Sequence, residues 1–271
     1  MSLIGAIRAE FAKLFTTRIW WVLLLIMVGY VAFTAGIIAA AFGGLLPGGD
    51  EAGIPTEGLY ELVYSLATSV GYVFPVILGT LAVTGEYRHQ TVTPTFLATP
   101  RRSTVLVAKL VVMFIVGAVY GVFSLIGSVG AGAPLLALSD VDTGFGEQDL
   151  WLLFGRAVLA MALWAVFGVG VGTLIPGQIA AIVVLLAFTQ FIEPILRMVA
   201  IFVDWMSGVG QYLPGAAGDA LVGSSIFTSF DMGGGAPVEA LEWWQGGVVL
   251  LAYAAATTIA GFFTTWRKDV T

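Results

Sequence analysis

The sequence predicts an all-α, polytopic membrane protein that crosses the bilayer six times, and three observations lead to that class. Of the 271 residues, 59% are hydrophobic and only 10% are charged, whereas an ordinary soluble domain has about 25% charged residues. Several apolar runs are longer than the roughly 20 residues that cross a hydrocarbon core as a helix. The chain also lacks the repeated segments of about ten residues with alternating polarity that are typical of a transmembrane barrel.

The first predicted element is an amphipathic helix over residues 1–19. Apolar side chains recur there at helical spacing, and Arg8, Lys13 and Arg18 lie among them. We expect this helix to lie at the membrane surface with its cations toward anionic headgroups. A secretory signal peptide is the alternative, but the next apolar run, residues 20–42, exceeds the roughly 7–15 residues of a signal sequence core.

Six apolar runs are the predicted spans. They cover residues 20–42, 62–83, 105–127, 152–175, 179–203 and 246–266. A polar loop, residues 84–104, follows the second run, and an outer segment, residues 204–245, follows the fifth. Because no linker or change in composition divides the chain, we expect residues 1–271 to form a single membrane domain.

Proline and glycine predict several interruptions of these helices. Pro75, Pro176-Gly177 and Pro194 should kink or end the helices that contain them. Residues 128–138 are apolar, but Gly130, Gly132 and Pro134 predict irregular or partly helical structure there rather than a continuation of the third span.

The distribution of charge predicts the orientation. Nine of the eleven Lys and Arg residues lie in the N-terminal stretch, around the polar loop, or in the C-terminal tail: Arg8, Lys13, Arg18, Arg88, Arg101, Arg102, Lys109, Arg267 and Lys268. The other loops carry acids and no cations. Under the positive-inside rule, both termini and the polar loop are cytoplasmic, which six spans satisfy. Seven of the eight tryptophans fall at predicted span ends, as expected for interfacial belts: Trp20, Trp21, Trp151, Trp205, Trp243, Trp244 and Trp266.

The outer segment is unusually apolar for a loop, and Gly233-Gly234-Gly235 predicts a flexible break in it. Such a segment can re-enter the membrane if its irregular backbone is covered by protein or faces water. A surface loop without a transport role is an equally open alternative.

A polar cluster is predicted inside the membrane. Gln190, Glu193 and Arg197 lie at i, i+3 and i+7 and therefore share one helix face, and Arg156 is near enough to the outer end of the fourth span to meet Glu193. These four residues are candidates for a gate or a polar patch along a substrate path, because ionisable groups in a membrane are costly. The alternative is a structural ion pair that locks spans four and five, with Glu193 and Arg197 in the favourable i, i+4 order.

Catalysis finds no support in the sequence. Cysteine is absent and His89 is the single histidine, which argues against a zinc protease, a metal site or a serine nucleophile with a histidine base. Lys13, Lys109 and Lys268 do not follow glycine, so no phosphate-binding G-x-x-x-x-G-K-[ST] motif is present. We therefore expect no catalytic residues and no bound cofactor or metal in this chain. The basic loop is too small and too close to the membrane to indicate a nucleic acid partner.

Two Thr-Pro steps organise the polar loop. Thr93-Pro94 and Thr99-Pro100 each place a capping hydroxyl before a proline suited to a first helical turn. They predict a short helix over residues 94–98 and a new helix that begins at Pro100. A basic, ordered loop between two spans indicates a docking surface for a cytoplasmic partner.

The loop from Gly85 to Arg102, GEYRHQTVTPTFLATPRR, closely resembles the cytoplasmic loop of bacterial permeases of the type-2 ATP-binding cassette (ABC) exporters. The stretch from Ala9 to Arg18 followed by Trp20-Trp21 is similar to their N-terminal helix, and the outer sequence Tyr212-Leu213-Pro214-Gly215 is similar as well. The plan of six spans with both termini inside matches along nearly the whole chain.

This resemblance implies a permease in the bacterial plasma membrane that dimerises, as a homodimer or heterodimer, and binds two separate ATPase subunits, which would hold ATP and magnesium. The loop would be the coupling element, formed by Glu86, Tyr87, Arg88, His89, Thr93, Pro94, Phe96, Leu97, Pro100, Arg101 and Arg102. Phe96 and Leu97 would enter an apolar notch on the ATPase, and the arginines would pair with its acids or, alternatively, with lipid phosphates. The apolar spans themselves favour a hydrophobic or amphipathic cargo. A secondary transporter or channel, or a membrane anchor subunit that does not transport, remains the alternative.

Overall fold

The computed structural model describes residues 2–45, 58–99, 101–203, 208–224 and 241–266. Within these residues the chain is helical and contains no strand. Six helical stretches are long and apolar enough to cross a membrane, and we number them spans 1–6: Ile19–Phe42, Leu59–Arg88, Arg102–Leu138, Gln148–Leu174, Gln178–Ala200 and Trp243–Trp266. The prediction of an all-α protein with six spans is confirmed.

The N-terminal helix, Leu3–Thr16, packs against span 3 and buries Ala6, Glu10 and Leu14. The Ser2 hydroxyl caps it by accepting a hydrogen bond from the Gly5 N–H at 3.2 Å. The prediction that the cations of this helix lie toward lipid headgroups does not describe Lys13. Its side chain is 40% exposed, but its ammonium group is ion-paired with Glu10 of the same helix.

Span 2 consists of two helices, Leu59–Ser69 and Val73–Arg88, with a turn between them. The interruption comes just before Pro75 rather than at it. Pro75 therefore lies in the first turn of the second helix, where its missing N–H would have had no intrahelical acceptor.

Span 3 is one continuous helix, Arg102–Leu138, so the prediction of irregular structure over residues 128–138 is wrong. Two of its hydroxyls fix it to the first half of span 2, since Ser124 Oγ donates to the Ala67 carbonyl at 2.6 Å and Ser128 Oγ to the Val63 carbonyl at 2.9 Å. A Cβ atom at Gly132 would lie 2.4 Å from Val63 Cγ1. The glycine therefore permits close contact between spans 2 and 3. This packing outweighs the cost of about 1 kcal/mol that glycine carries in a helix relative to alanine.

Span 4, Gln148–Leu174, is the most buried of the six and packs on spans 2, 3 and 6. Its Gly168 and Gly172 face span 2, where a Cβ at Gly168 would lie 2.1 Å from the Val76 carbonyl oxygen. Thr80 Oγ1 donates to the Gly168 carbonyl at 3.1 Å in the same contact. Gly168 and Gly172, four residues apart on one helix face, thus allow spans 2 and 4 to pack closely within this chain.

Span 5 changes its winding in the middle. An α-helix over Gln178–Ala187 is followed by a π-helical turn, Phe188–Ile192, and by a second α-helix, Glu193–Phe202. Pro194 is at the start of that second helix, and its missing N–H accounts for a widened turn before it. Span 4 ends at Leu174, so Pro176-Gly177 separates spans 4 and 5 as predicted.

One part of the outer segment forms a helix, Pro214–Val222, which we name the outer-segment helix. It packs against spans 4 and 6, and a Cβ at Gly246 would lie 2.4 Å from the Ala217 carbonyl oxygen. The predicted break at Gly233-Gly234-Gly235 lies outside the described residues.

Among the described residues, the tryptophans at span ends differ in exposure, and Trp205 lies outside the described residues. Trp21, Trp151, Trp243 and Trp244 are exposed at span ends, whereas Trp266 has 0% of its surface exposed and lies inside the protein. The buried Trp266 side chain packs against Phe96 of the polar loop.

Candidate functional site

The polar loop contains a short helix, Val92–Ala98, which we name the loop helix. It begins two residues earlier than predicted, and Thr91 occupies the position before it without a side-chain cap. Thr93 is therefore inside the helix, and the prediction that its hydroxyl caps a helix beginning at Pro94 is wrong. Span 3 begins at Arg102, after an extended Arg101, rather than at Pro100, which lies outside the described residues. Thr99 instead ends the loop helix and is buried.

One side of the loop helix meets a cluster of buried charges. The Lys109 ammonium is 2% exposed and donates to Glu10 Oε2 at 2.6 Å, to Glu86 Oε1 at 2.7 Å and to the Ala82 carbonyl at 3.0 Å. All three of its N–H donors are therefore used. These contacts join the N-terminal helix, the end of span 2 and span 3.

Lys13 extends this cluster to the loop helix. Its ammonium donates to Glu10 Oε1 at 2.7 Å, to Glu86 Oε1 at 2.8 Å and to Thr95 Oγ1 at 3.2 Å. Partial burial lowers the pKa of Lys13, but the carboxylates of Glu86 and Glu10 together raise it more, so the pKa is above its ordinary value. We name Glu10, Lys13, Glu86 and Lys109 the charged junction; its two lysines balance its two carboxylates.

The sequence predicts Glu86 as a contact for the ATPase, whereas the structure buries it in this junction. Glu10, Lys13 and Lys109 were not among the predicted site residues, because the Glu10–Lys13 pair, Glu86 and Lys109 are distant from one another along the chain. The usable signal was Lys109, since a lysine within an apolar run implies a buried partner.

The other side of the loop helix meets aromatic groups. The Phe96 ring packs edge-on against Trp266, with ring centroids 5.3 Å apart, and the Arg102 guanidinium lies 4.9 Å from the Phe96 ring centroid. Tyr87 contacts the same indole at 6.2 Å. Arg102 Nη1 donates to the Trp266 carbonyl, and Trp266 Nε1 donates to the Arg102 carbonyl, each at 3.1 Å. We name these four residues the aromatic junction; it joins the loop helix to spans 2, 3 and 6.

The two junctions decide which predicted coupling residues remain on the surface. Leu97 is 78% exposed, whereas Phe96 is partly buried in the aromatic junction, so Leu97 and not Phe96 presents an apolar side chain to solvent. The exposed residues of the predicted set are Arg88, His89, Thr93, Pro94, Leu97 and Arg101. Arg88 also donates to Gln178 Oε1 at 3.2 Å, which ties span 2 to span 5.

The intramembrane cluster is assembled in part. Gln190, Glu193 and Arg197 share one face, as predicted, and line a cavity of about 110 Å³. Glu193 Oε1 accepts hydrogen bonds from the Gly215 N–H at 2.5 Å and the Ala216 N–H at 3.1 Å, and Arg197 Nη2 donates to Asp219 Oδ2 at 2.8 Å. Both side chains therefore reach the outer-segment helix.

Arg156 does not join this cluster. Its guanidinium lies 5.0 Å from the centroid of the Trp243 ring, at the start of span 6. The structure thus places Arg156 in a cation–π contact rather than against Glu193.

Among the described residues, six helices are long and apolar enough to cross a membrane, which defines a multi-pass membrane protein. A family model described as "ABC-2 family transporter protein" matches residues 6–202, and the chain belongs to that family. It is therefore a membrane subunit of the ABC transporter class, a subunit that is normally not catalytic. Permeases of this family in general partner with ABC ATPase subunits and dimerise. A comparison with curated proteins finds no match.

Proposed function

We propose that this protein is the permease of an exporter in the bacterial plasma membrane, driven by ATP hydrolysis in two separate ATPase subunits that bind ATP and magnesium. The cargo is hydrophobic or amphipathic. The family match supports the class of protein, and the anchoring of the loop helix supports the mechanism. In this mechanism the loop helix lies on the cytoplasmic side and receives the force that the ATPases produce.

Leu97 is the apolar contact for the ATPase in this proposal. A partner that covers this exposed leucine side chain gains about 1.5–3 kcal/mol from its burial. Arg101 lies close by and is exposed, so it can pair with acids at the rim of the same contact. Docking to lipid phosphates is the competing use of Arg101.

The junctions carry force from the loop helix into the membrane. Thr95 contacts Lys13 of the charged junction, and Phe96 contacts Trp266 of the aromatic junction. The aromatic pair is worth about 0.5–1.5 kcal/mol beyond its buried area, and Lys13 is itself ion-paired with the buried carboxylates of Glu10 and Glu86. Displacement of the loop helix is therefore passed through these contacts to the ends of spans 2, 3 and 6. Rocking of packed helices in this way changes access to a transport path.

A second permease subunit completes the transporter. Spans 1, 5 and 6 leave most of their surface uncovered within this chain, with 28%, 22% and 28% of their apolar cores buried. These faces are available to lipid and to the second permease, because both present apolar surface.

Co-purification of this protein with an ABC ATPase from the cells that naturally produce it tests the proposal. The Leu97→Asp variant should lose the ATPase, because a carboxylate in an apolar notch is desolvated without a partner. Leu138→Asp is the matched control, since Leu138 is 72% exposed at the opposite end of span 3, and it should retain the ATPase. A Leu97→Asp complex of unchanged affinity would refute docking through the loop helix, and transport without any ATPase would favour a secondary transporter.

A further inference from the structure

The cavity beside span 5 contains polar groups that packing does not use. We name it the polar chamber, with Ser69, Tyr72, Trp164, Glu193, Arg197 and Asp219 among its lining residues. All of these except Asp219 belong to spans 2, 4 and 5, and Asp219 belongs to the outer-segment helix. The chamber is therefore a polar site within a mostly apolar membrane domain.

Glu193 has one oxygen in use and one without a partner. Its side chain is 2% exposed, and Oε1 accepts the Gly215 and Ala216 N–H groups, which are free donors in the first turn of the outer-segment helix. That half of the carboxylate holds the helix in place. Oε2 is buried and has no hydrogen-bond partner among the described residues, and the same is true of Ser69 Oγ in the same chamber. Two buried oxygens without partners are costly unless a ligand supplies donors.

The described lining residues include two carboxyl groups and one guanidinium group. The Arg197 guanidinium pairs with Asp219 at 2.8 Å, so an ionised Glu193 carboxylate would leave these three residues with an excess of one negative charge. The charged junction, by contrast, balances its lysines and carboxylates. An uncompensated carboxylate in a low-dielectric site is stabilised either by a proton or by a bound cation, and a cation that binds there displaces the proton.

Two aromatic rings indicate which cation fits. Tyr72 and Trp164 lie with their ring centroids 4.4 Å apart, and Trp164 is buried. Aromatic faces attract ammonium groups and pack against their alkyl or aryl substituents, whereas hard metal ions prefer about six or more oxygen ligands. An organic ammonium group would donate N–H bonds to Glu193 Oε2 and Ser69 Oγ and place its apolar part on the rings.

We propose that the polar chamber binds the ammonium group of an organic amine, and that the cargo class of this transporter is a cationic amphiphile. The assignment of cargo rests on the proposed export function, whereas binding of the amine does not require an ATPase. Glu193 provides the charge, Ser69 a second hydrogen bond, and Trp164 with Tyr72 the apolar wall.

Equilibrium binding of radiolabelled benzylammonium to the purified full chain in lipid nanodiscs tests the site. We expect saturable binding that unlabelled benzylammonium displaces and that neutral benzyl alcohol displaces poorly. Glu193→Gln should weaken binding by about tenfold or more, because it removes a charge-assisted hydrogen bond. Glu147→Gln, an identical change at an exposed carboxylate before span 4, should bind as the wild type does.

A second variant keeps the test decisive if Glu193→Gln does not fold. Ser69→Lys places an ammonium group of the protein's own in the chamber and should abolish benzylammonium binding without removing the Glu193 contact to the outer-segment helix. The proposal is overturned if the wild type shows no saturable binding, if folded Glu193→Gln or Ser69→Lys binds normally, or if sodium ions displace the amine at equal concentration. Any of these results leaves co-purification with the ATPase unaffected, so failure of the site is distinguishable from failure of the export function.

Discussion

Lys109 and Glu86 are 23 residues apart in the sequence, yet the Lys109 ammonium donates to Glu86 Oε1 at 2.7 Å in the interior of the protein. This contact joins the end of span 2 to span 3 on the two sides of the loop helix. Because Glu10 and Lys13 complete the charge balance, the N-terminal helix is fastened to the same point. The loop helix therefore rests on a rigid base.

Replacement of Lys109 should be strongly destabilising. Lys109→Met leaves the carboxylates of Glu10 and Glu86 with Lys13 alone, and losing one partner of a buried pair costs about 3–5 kcal/mol. Thermal unfolding of the purified protein measures this loss. Arg8→Met on the exposed side of the N-terminal helix should change stability little. The double variant Lys109→Met with Glu86→Gln should regain part of the stability that Lys109→Met loses. Equal effects of Lys109→Met and Arg8→Met would contradict the role of the junction.

Replacement of Lys13 should separate ATP hydrolysis from transport. Lys13→Gln removes the bond to Thr95, but Lys109 still holds both carboxylates, and a half-exposed pair contributes only about 1 kcal/mol or less to folding. In the proposed complex, we expect the ATPase to remain bound and active while transport per ATP hydrolysed falls. Arg8→Gln is the control. Normal coupling in Lys13→Gln would show that force does not pass through this contact.

The continuous form of span 3 depends on Gly132 and not on Gly130. A Cβ at Gly132 would overlap Val63, whereas a Cβ at Gly130 meets nothing within 4 Å. Gly132→Ala should destabilise by about 1–3 kcal/mol through overpacking, and Gly130→Ala should be neutral or stabilising because alanine is the better helix former. Thermal unfolding compares the two. Adding Val63→Ala should rescue Gly132→Ala, and a Gly130→Ala variant that loses as much stability would rule out this explanation.

The indole of Trp266 should restrain the loop helix from the end of span 6. Trp266→Leu removes the edge-on contact with Phe96 and the hydrogen bond to the Arg102 carbonyl, and an aromatic pair is worth about 0.5–1.5 kcal/mol beyond its buried area. Hydrogen exchange of residues 92–98 should accelerate several-fold. Trp244→Leu, at an exposed tryptophan, is the matched control. Unchanged exchange in Trp266→Leu would mean that the charged junction alone holds the helix.

Sequence reasoning succeeded where a property is local. Pro176-Gly177 ends span 4 as predicted, because a missing N–H and a flexible backbone act within one turn. It failed for residues 128–138, because the low helix propensity of Gly130, Gly132 and Pro134 is local, while the contact of Gly132 with Val63 that overrides it is tertiary. It failed also for Phe96. Its position in a polar loop predicts an exposed side chain, but Trp266, which is distant in the sequence, covers it.

The sequence by itself determined that this protein is a six-span helical membrane protein, because the length and hydropathy of each run are sufficient for a helix to cross a bilayer. It also identified the polar loop and Glu193, since charged residues beside or within apolar runs are conspicuous. Only the tertiary structure decided which of these charges face each other. Glu10, Glu86 and Lys109 meet because three helices pack together, and Glu193 meets Gly215 because the outer-segment helix folds back onto span 5. Contacts between residues far apart in the chain depend on how helices pack, and helical periodicity within one segment carries no information about that packing.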